Sequence, residues 1–222
     1  MRRFAFVLAA VAAMVAAPDA WAQYNASSLA GPVRDAVMTA RAREADANRA
    51  AERARDAAML GDDAAERARR GERGYTTSNG ETDRYMGIAT GNGSGVLVFT
   101  DPNFAGDRYR GDFVNNGYNG YGVYHWGENP NNAPGQLRFE GQFANDAASG
   151  VGVRYYRNGE TRAGEVFEWR TNGYVVQNLA DGSRYEGQMS SGARHGYGVE
   201  WDATGRVVGA GGWQNNELVT RM

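Results

Sequence analysis

A phrase recurring every 23 or 24 residues constrains this chain more than any other feature. It opens with an aromatic residue, a glycine and a bulky residue at alternate positions, passes through a turn and closes on Gly-x-Gly. It reads Tyr109-Arg-Gly111-Asp-Phe113 with Gly120-Tyr-Gly122, then Phe139-Glu-Gly141-Gln-Phe143 with Gly150-Val-Gly152, then Tyr185-Glu-Gly187-Gln-Met189 with Gly196-Tyr-Gly198. Weaker copies start at Tyr85, Arg162 and Gly209, giving steps of 24, 30, 23, 23 and 24 residues. A fixed period of this length identifies a repeat array, in which each unit buries its apolar face against its neighbours. The long step carries an insert at 127–134, whose Pro and Asn favour a surface loop.

Both halves of each copy alternate with period two, as half-buried strands do. Tyr109, Gly111 and Phe113 oppose Arg110 and Asp112; Tyr121, Val123 and His125 alternate likewise. Turn formers such as Asn115-Asn-Gly117 and Ser190-Ser-Gly192 separate the halves, so each copy is a hairpin. Glycine weakens a strand interior and needs a reason there. Gly111, Gly141 and Gly187 keep register with large residues, so the expected reason is space for an aromatic ring from the neighbouring hairpin. Ten residues are expected largely to share one sheet face: Tyr109, Phe113, Tyr121, Phe139, Phe143, Tyr155, Tyr185, Tyr197, Trp201 and Trp213. Either a partner docks on these rings or they pack on one another with only their edges showing.

Tyr185-Glu-Gly-Gln-Met with His195-Gly-Tyr-Gly-Val199 resembles a MORN (membrane occupation and recognition nexus) repeat, and the copies at 109 and 139 match the same skeleton. The copy at 85 is one residue short before Gly95, and the copy at 162 has Val175 in place of the last glycine. The resemblance covers roughly 84–217. It implies a mainly β fold: an elongated single-layer antiparallel sheet of stacked hairpins, serving as a scaffold or binding module. Lipid or membrane-surface binding follows only weakly from it.

The chain begins Met-Arg-Arg, then runs apolar from Phe4 to Ala17 and reaches Ala20-Trp-Ala22. A basic start, a short apolar core and an A-x-A site read as a secretory signal peptide over 1–22, with cleavage before Gln23. The expected compartment is the bacterial periplasm, with secretion as the alternative. There are no cysteines, so neither a disulfide nor a lipoprotein anchor is expected. Residues 23–74 form a different region, rich in Ala and Arg and almost free of aromatics, followed by a linker at 75–84 and the array at 85–222. Its residues favour helix, with an interruption expected near Gly61-Asp-Asp63. Opposite charges fall at helical spacing in Asp46/Arg49, Glu52/Arg55, Asp63/Arg67 and Glu66/Arg70. A seam of mostly alanine steps by three and four from Val37 to Ala68, as in a coiled coil. Three readings stand: a solvated spacer, a helix pair within a homodimer or with a partner, or a helix folded back over the aromatic face.

Chemistry is sparse. The two histidines, His125 and His195, sit in strand phrases where a structural role is expected, and no ligand spacing supports a metal. Asp112, Glu140 and Glu186 are expected on a solvated face, and neither a nucleophile with its base nor a phosphate loop is present. Acids outnumber arginines in the array, which argues against nucleic acid. The expectation is a non-enzymatic scaffold without a cofactor, holding a protein partner on the aromatic face. Cell-wall glycan binding is the alternative, because exposed Tyr and Trp rings stack on sugars.

Overall fold

The computed structural model describes residues 25–29, 31–81, 83–129, 132 and 135–222. The signal peptide expected at 1–22 lies outside them. One helix, α1 (Gly31–Arg69), precedes thirteen strands: β1 (Tyr75–Asn79), β2 (Asp83–Ile88), β3 (Gly93–Phe99), β4 (Arg108–Val114), β5 (Gly117–His125), β6 (Gln136–Ala144), β7 (Ala147–Tyr156), β8 (Thr161–Phe167), β9 (Arg170–Asn178), β10 (Arg184–Ser190), β11 (Ala193–Trp201), β12 (Val207–Gln214) and β13 (Glu217–Arg221). All thirteen form one open antiparallel sheet in strict sequence order. The expected linker therefore contains a strand, β1, whose Tyr75 pairs with Ile88.

The tight turns use the chemistry their geometry demands. Asn115 and Asn116 have φ of 52° and 66°, and Asn145 and Asp146 have 50° and 63°, the left-handed pair that a two-residue hairpin needs. Glu168 and Trp169 adopt the same turn, although a bulky residue there is disfavoured. Trp169 is held by its ring, 4.9 Å from that of Tyr124.

A file of paired glycines crosses the sheet. Gly87 pairs with Gly95, Gly95 with Gly111, Gly111 with Gly122, Gly122 with Gly141, Gly141 with Gly152, and Gly152 with Gly164. It resumes as Gly187, Gly198 and Gly211. An aromatic ring lies over the second glycine of each strong copy: a Cβ on Gly198 would stand 2.6 Å from Tyr185 Cζ, and one on Gly152 2.7 Å from Phe139 Cε2. The ring belongs to the same hairpin, not to the neighbour. Where the file breaks, Val175 faces Gly164, and the copy begins with Arg162 instead of a ring.

A second regularity explains the first glycine of Gly-x-Gly. The ladder shifts register after Gly111, Gly141, Gly164 and Gly187. At each bulge one polar side chain accepts the freed backbone N–H: Asp112 from Tyr121 at 3.0 Å, Gln142 from Val151 at 2.9 Å, Glu165 from Tyr174 at 2.8 Å, and Gln188 from Tyr197 at 2.9 Å. A buried amide without a partner would cost about 1–3 kcal/mol, so these acceptors define the repeat as much as its rings do.

Helix α1 is continuous for 39 residues, and Gly61 lies within it. It crosses the sheet from β12 to β1 and touches every strand between. It folds back over the array, which corrects both the spacer and the coiled-coil expectations, but on the face opposite the stacked rings rather than over them as the third reading expects. The alanine seam is real but packs on strand residues: Ala47 and Ala51 on Val153 and Ala163, Ala54 and Ala58 on Val123, and Ala65 on Met86 and Val96. At its start Val33 and Val37 pack on Val199, Trp201 and Ala210. Alanine buries little area but lets the helix axis approach closely.

Gly61 marks the nearest approach. A Cβ there would overlap the carbonyl oxygen of Gly95 and lie 3.3 Å from the Gly111 nitrogen. In a free helix, Gly→Ala stabilises by about 1 kcal/mol. Here Gly61→Ala is expected to destabilise by about 1–3 kcal/mol, because backbone cannot step aside as a side chain can. Urea unfolding of the variant checks the sign.

Candidate functional site

The ten aromatic residues divide between the two faces. Tyr109, Phe113, Phe139 and Phe143 are at most 3% exposed and interlock on the face away from α1. The Tyr109 ring meets Phe113 edge-on at 5.1 Å and Phe143 at 4.9 Å. Tyr185 and Trp213 form a smaller cluster there with Val175 and Met189. Tyr121, Tyr155 and Trp201 lie on the α1 face among its apolar residues. Tyr197 is 40% exposed beside the first turns of α1. So the rings of the outer face pack on one another, and the expected continuous open platform is absent. Pairing of Gly111 with Gly122 shows why: it turns Gly122 to the ring face and Tyr121 to the other.

Rings that sequence reasoning left out complete the cluster: Tyr85, Tyr118, Tyr124, Trp126 and Trp169. Burial holds the Tyr109, Tyr118 and Tyr124 hydroxyls well above their usual range, so they stay neutral. Tyr124 donates to Asp107 at 2.6 Å. Asp107 also accepts from the Gly127 backbone and from Asn129 and Asn132, which ties the insert to the sheet. The insert builds a structural anchor.

The α1 face is electrostatic. Arg41 binds Glu186 at 2.9 Å, Glu44 binds Arg184 at 3.0 Å, Arg43 binds Glu165 at 2.8 Å and Arg55 binds Glu140 at 2.6 Å. Asp62 receives both Arg108 and Arg110 at 2.7 Å. Glu140 and Glu186 are thus buried against the helix, a correction to the expected solvated face; Asp112 caps the Tyr121 amide. Of the expected helical pairs, Asp46/Arg49 and Glu66/Arg70 form. Arg55 turns instead to the sheet, and Arg67 reaches Glu72. Burial raises the Glu44 carboxyl above its usual range against the opposing pull of Arg184. Its contribution to stability is present below the ordinary carboxylate range and is lost as pH rises through the folded value.

His125 is pushed down to about 4 by burial, helped by Arg110, Arg138 and Arg108. The unfolded chain takes up this proton near pH 6.5, so the stability the neutral ring contributes at neutral pH is lost as pH falls from 6.5 to 4. The ring is only partly enclosed, so the loss is discounted to about 1–2 kcal/mol. Urea midpoints across that window, with His125→Gln as the flattened control, measure it. His195 lies on β11.

Among the described residues, no group of three or more His, Asp or Glu side chains is placed to hold a metal. Among them also, no helix is long and apolar enough to cross a membrane. Three of the hairpins decide the family resemblance, since residues 109–129, 139–161 and 185–205 match the family model described as MORN repeat. Three MORN repeats are thus detected, at those segments. None of the curated proteins matches it. MORN repeats are generally protein- or membrane-binding modules without catalytic groups of their own. The β2–β3, β8–β9 and β12–β13 hairpins lie outside the matched segments yet extend the same sheet, so the array is about twice as long as the matched MORN repeats.

Proposed function

We propose that this protein is a non-enzymatic scaffold, exported to the periplasm, that binds a protein partner. The observation that carries the reading is that both sheet faces are largely covered by the chain itself, rings on one side and α1 on the other. What remains is an elongated rigid body, and such a body acts through the surface it displays. The partner contact falls on the outer side of α1, where Met59 is 64% and Leu60 62% exposed amid charged neighbours. Adjacent exposed apolar side chains on a rigid helix suit a small hydrophobic anchor point.

The test is affinity capture from periplasmic extract with the full chain and with Met59→Asp/Leu60→Asp. A protein retained by the native chain and lost with the variant supports the reading. Retention of the same protein by both places the contact elsewhere, and recovery of the chain only from the cytosol overturns the exported scaffold. Mass spectrometry of the native N-terminus, expected at Gln23, checks the export separately.

A further inference from the structure

The residue after the first glycine of Gly-x-Gly recurs on the α1 face as Tyr121, Val151, Tyr174 (where Val175 replaces the second glycine) and Tyr197, and its surroundings change along the array. At Tyr121 the site is closed. The hydroxyl accepts from Arg53 at 3.0 Å and from Gln142 at 3.3 Å, and the Arg53 guanidinium stands 5.5 Å from the ring centre. At the other end of the helix the equivalent residues are open. Tyr174 and Tyr197, with Gln188 between them, line a cleft of about 340 Å³ whose far wall is Pro32, Asp35 and Thr39 of α1.

Three features make this cleft a built site. The first is rigidity. Each tyrosine follows a glycine at positive φ, 84° at Gly173 and 62° at Gly196, and each has its backbone N–H tied to the side chain of Glu165 or Gln188. Glu165 is in turn held by Arg43 of the helix. The rings therefore stand on fixed bases, and little ordering is needed on binding.

The second is spacing. Tyr174 pairs with Gln188 on β10, and Tyr197 stands on the other side of β10. Two tyrosines on alternate strands are roughly 10 Å apart at the base, given about 4.8 Å between neighbours. That is the length of two linked pyranose rings.

The third is polarity. Gln188 uses its oxygen on the Tyr197 amide, and its NH2 has no partner among the described residues. Neither tyrosine hydroxyl has one there. Thr39 donates to the Asp35 carbonyl, so its oxygen remains an acceptor. The Asp35 side chain is 76% exposed and, among the described residues, meets only Arg34, at 3.9 Å. The lining thus offers an amide donor, hydroxyls and a carboxylate, and among the described residues Asp35 is its only charged side chain.

We propose that this cleft binds a neutral oligosaccharide. The C–H face of a pyranose carries slight positive charge and lies against the negative π face of a tyrosine. Gln188 and Asp35 then donate to and accept from vicinal hydroxyls, while the lone carboxylate disfavours phosphorylated or sulfated ligands. A few polar groups converging between apolar platforms is the general form of a small-molecule site. The site is separate from the Met59–Leu60 contact, so either can fail without the other.

The test titrates the full chain with N,N′-diacetylchitobiose, cellobiose and maltose, read by calorimetry and saturation-transfer NMR. At least one is expected to saturate in the millimolar range, with transfer strongest to its ring C–H protons. Tyr197→Ala is expected to weaken that disaccharide about tenfold, whereas Tyr197→Phe keeps it within about threefold. Asp35→Asn, far out on the helix, is expected to weaken it about threefold to fivefold and stands as the second variant if Tyr197→Ala does not fold. Failure of all three sugars to saturate overturns the proposal. So does unchanged affinity in Tyr197→Ala or, in its place, Asp35→Asn, and so does competition by inorganic phosphate.

Discussion

Arg184→Ala is expected to destabilise the protein by about 3–5 kcal/mol, the cost of leaving a buried charge without its partner. Arg184 is 1% exposed and holds two carboxylates, Glu186 in the sheet and Glu44 on the helix, while Arg41 closes the group from the far side. Glu186 is wholly buried, so without Arg184 it keeps, among the described residues, only Arg41. Urea unfolding should show the loss, and proteolysis should reach the N-terminal half of α1 first. Replacing Arg184, Glu186 and Glu44 together by Met, Leu and Leu is expected to cost far less, because an apolar cluster of similar volume needs no compensation. If the triple variant unfolds as readily as Arg184→Ala, packing and not charge governs this joint.

Gly198→Val is the second large effect, with an expected loss of about 2–3 kcal/mol. The added side chain meets the Tyr185 ring, and that ring cannot turn away because Trp213 lies 5.4 Å from it. The substitution should be nearly silent in a Tyr185→Leu background, since residues in contact do not act additively. The protein supplies its own control: Arg162 heads the copy in which Val175 stands where the glycine would be. Equal losses in both backgrounds would show that the backbone, and not the ring, requires glycine there.

The hairpins and their turns were legible because the period-two pattern and the Asn and Gly turn residues act locally. The pairing of ring with glycine was legible too, but its source was misplaced. Periodicity says that a ring and a glycine share a face; it does not say which strand brings them together. The division of the aromatic residues was hidden by the two-residue turn. Val114 pairs with Gly117 and Phe113 with Tyr118, so odd positions of one strand face even positions of the next, which sends Tyr121, Tyr155, Tyr197 and Trp201 to the α1 face; the bulge adds two residues and keeps that side. The signal of the bulge lay in Asp112, Gln142, Glu165 and Gln188, polar residues at one fixed place in four of the six copies. The berth of α1 could not be read from the helix alone, since a stripe of alanine fits a second helix or a sheet equally well. Gly61 held the missing information. Glycine within a helical run looks like an interruption until the Gly95 carbonyl is seen against it.

Helix length carries one more consequence. At 1.5 Å per residue, the 39 residues of α1 extend about 58 Å. The twelve strands it crosses, β1 to β12, have eleven gaps between them, which at about 4.8 Å each come to about 53 Å. The helix is a ruler for the array. Tandem duplication of a hairpin would lengthen the sheet by about 10 Å, and six or seven residues would have to enter α1 at the matching point to keep Asp62, Arg55 and Glu44 opposite their partners. Arrays held only by their neighbours can gain or lose units one at a time. This one can change its number of hairpins only by two coordinated insertions in distant parts of its gene, so the count should drift slowly among its descendants.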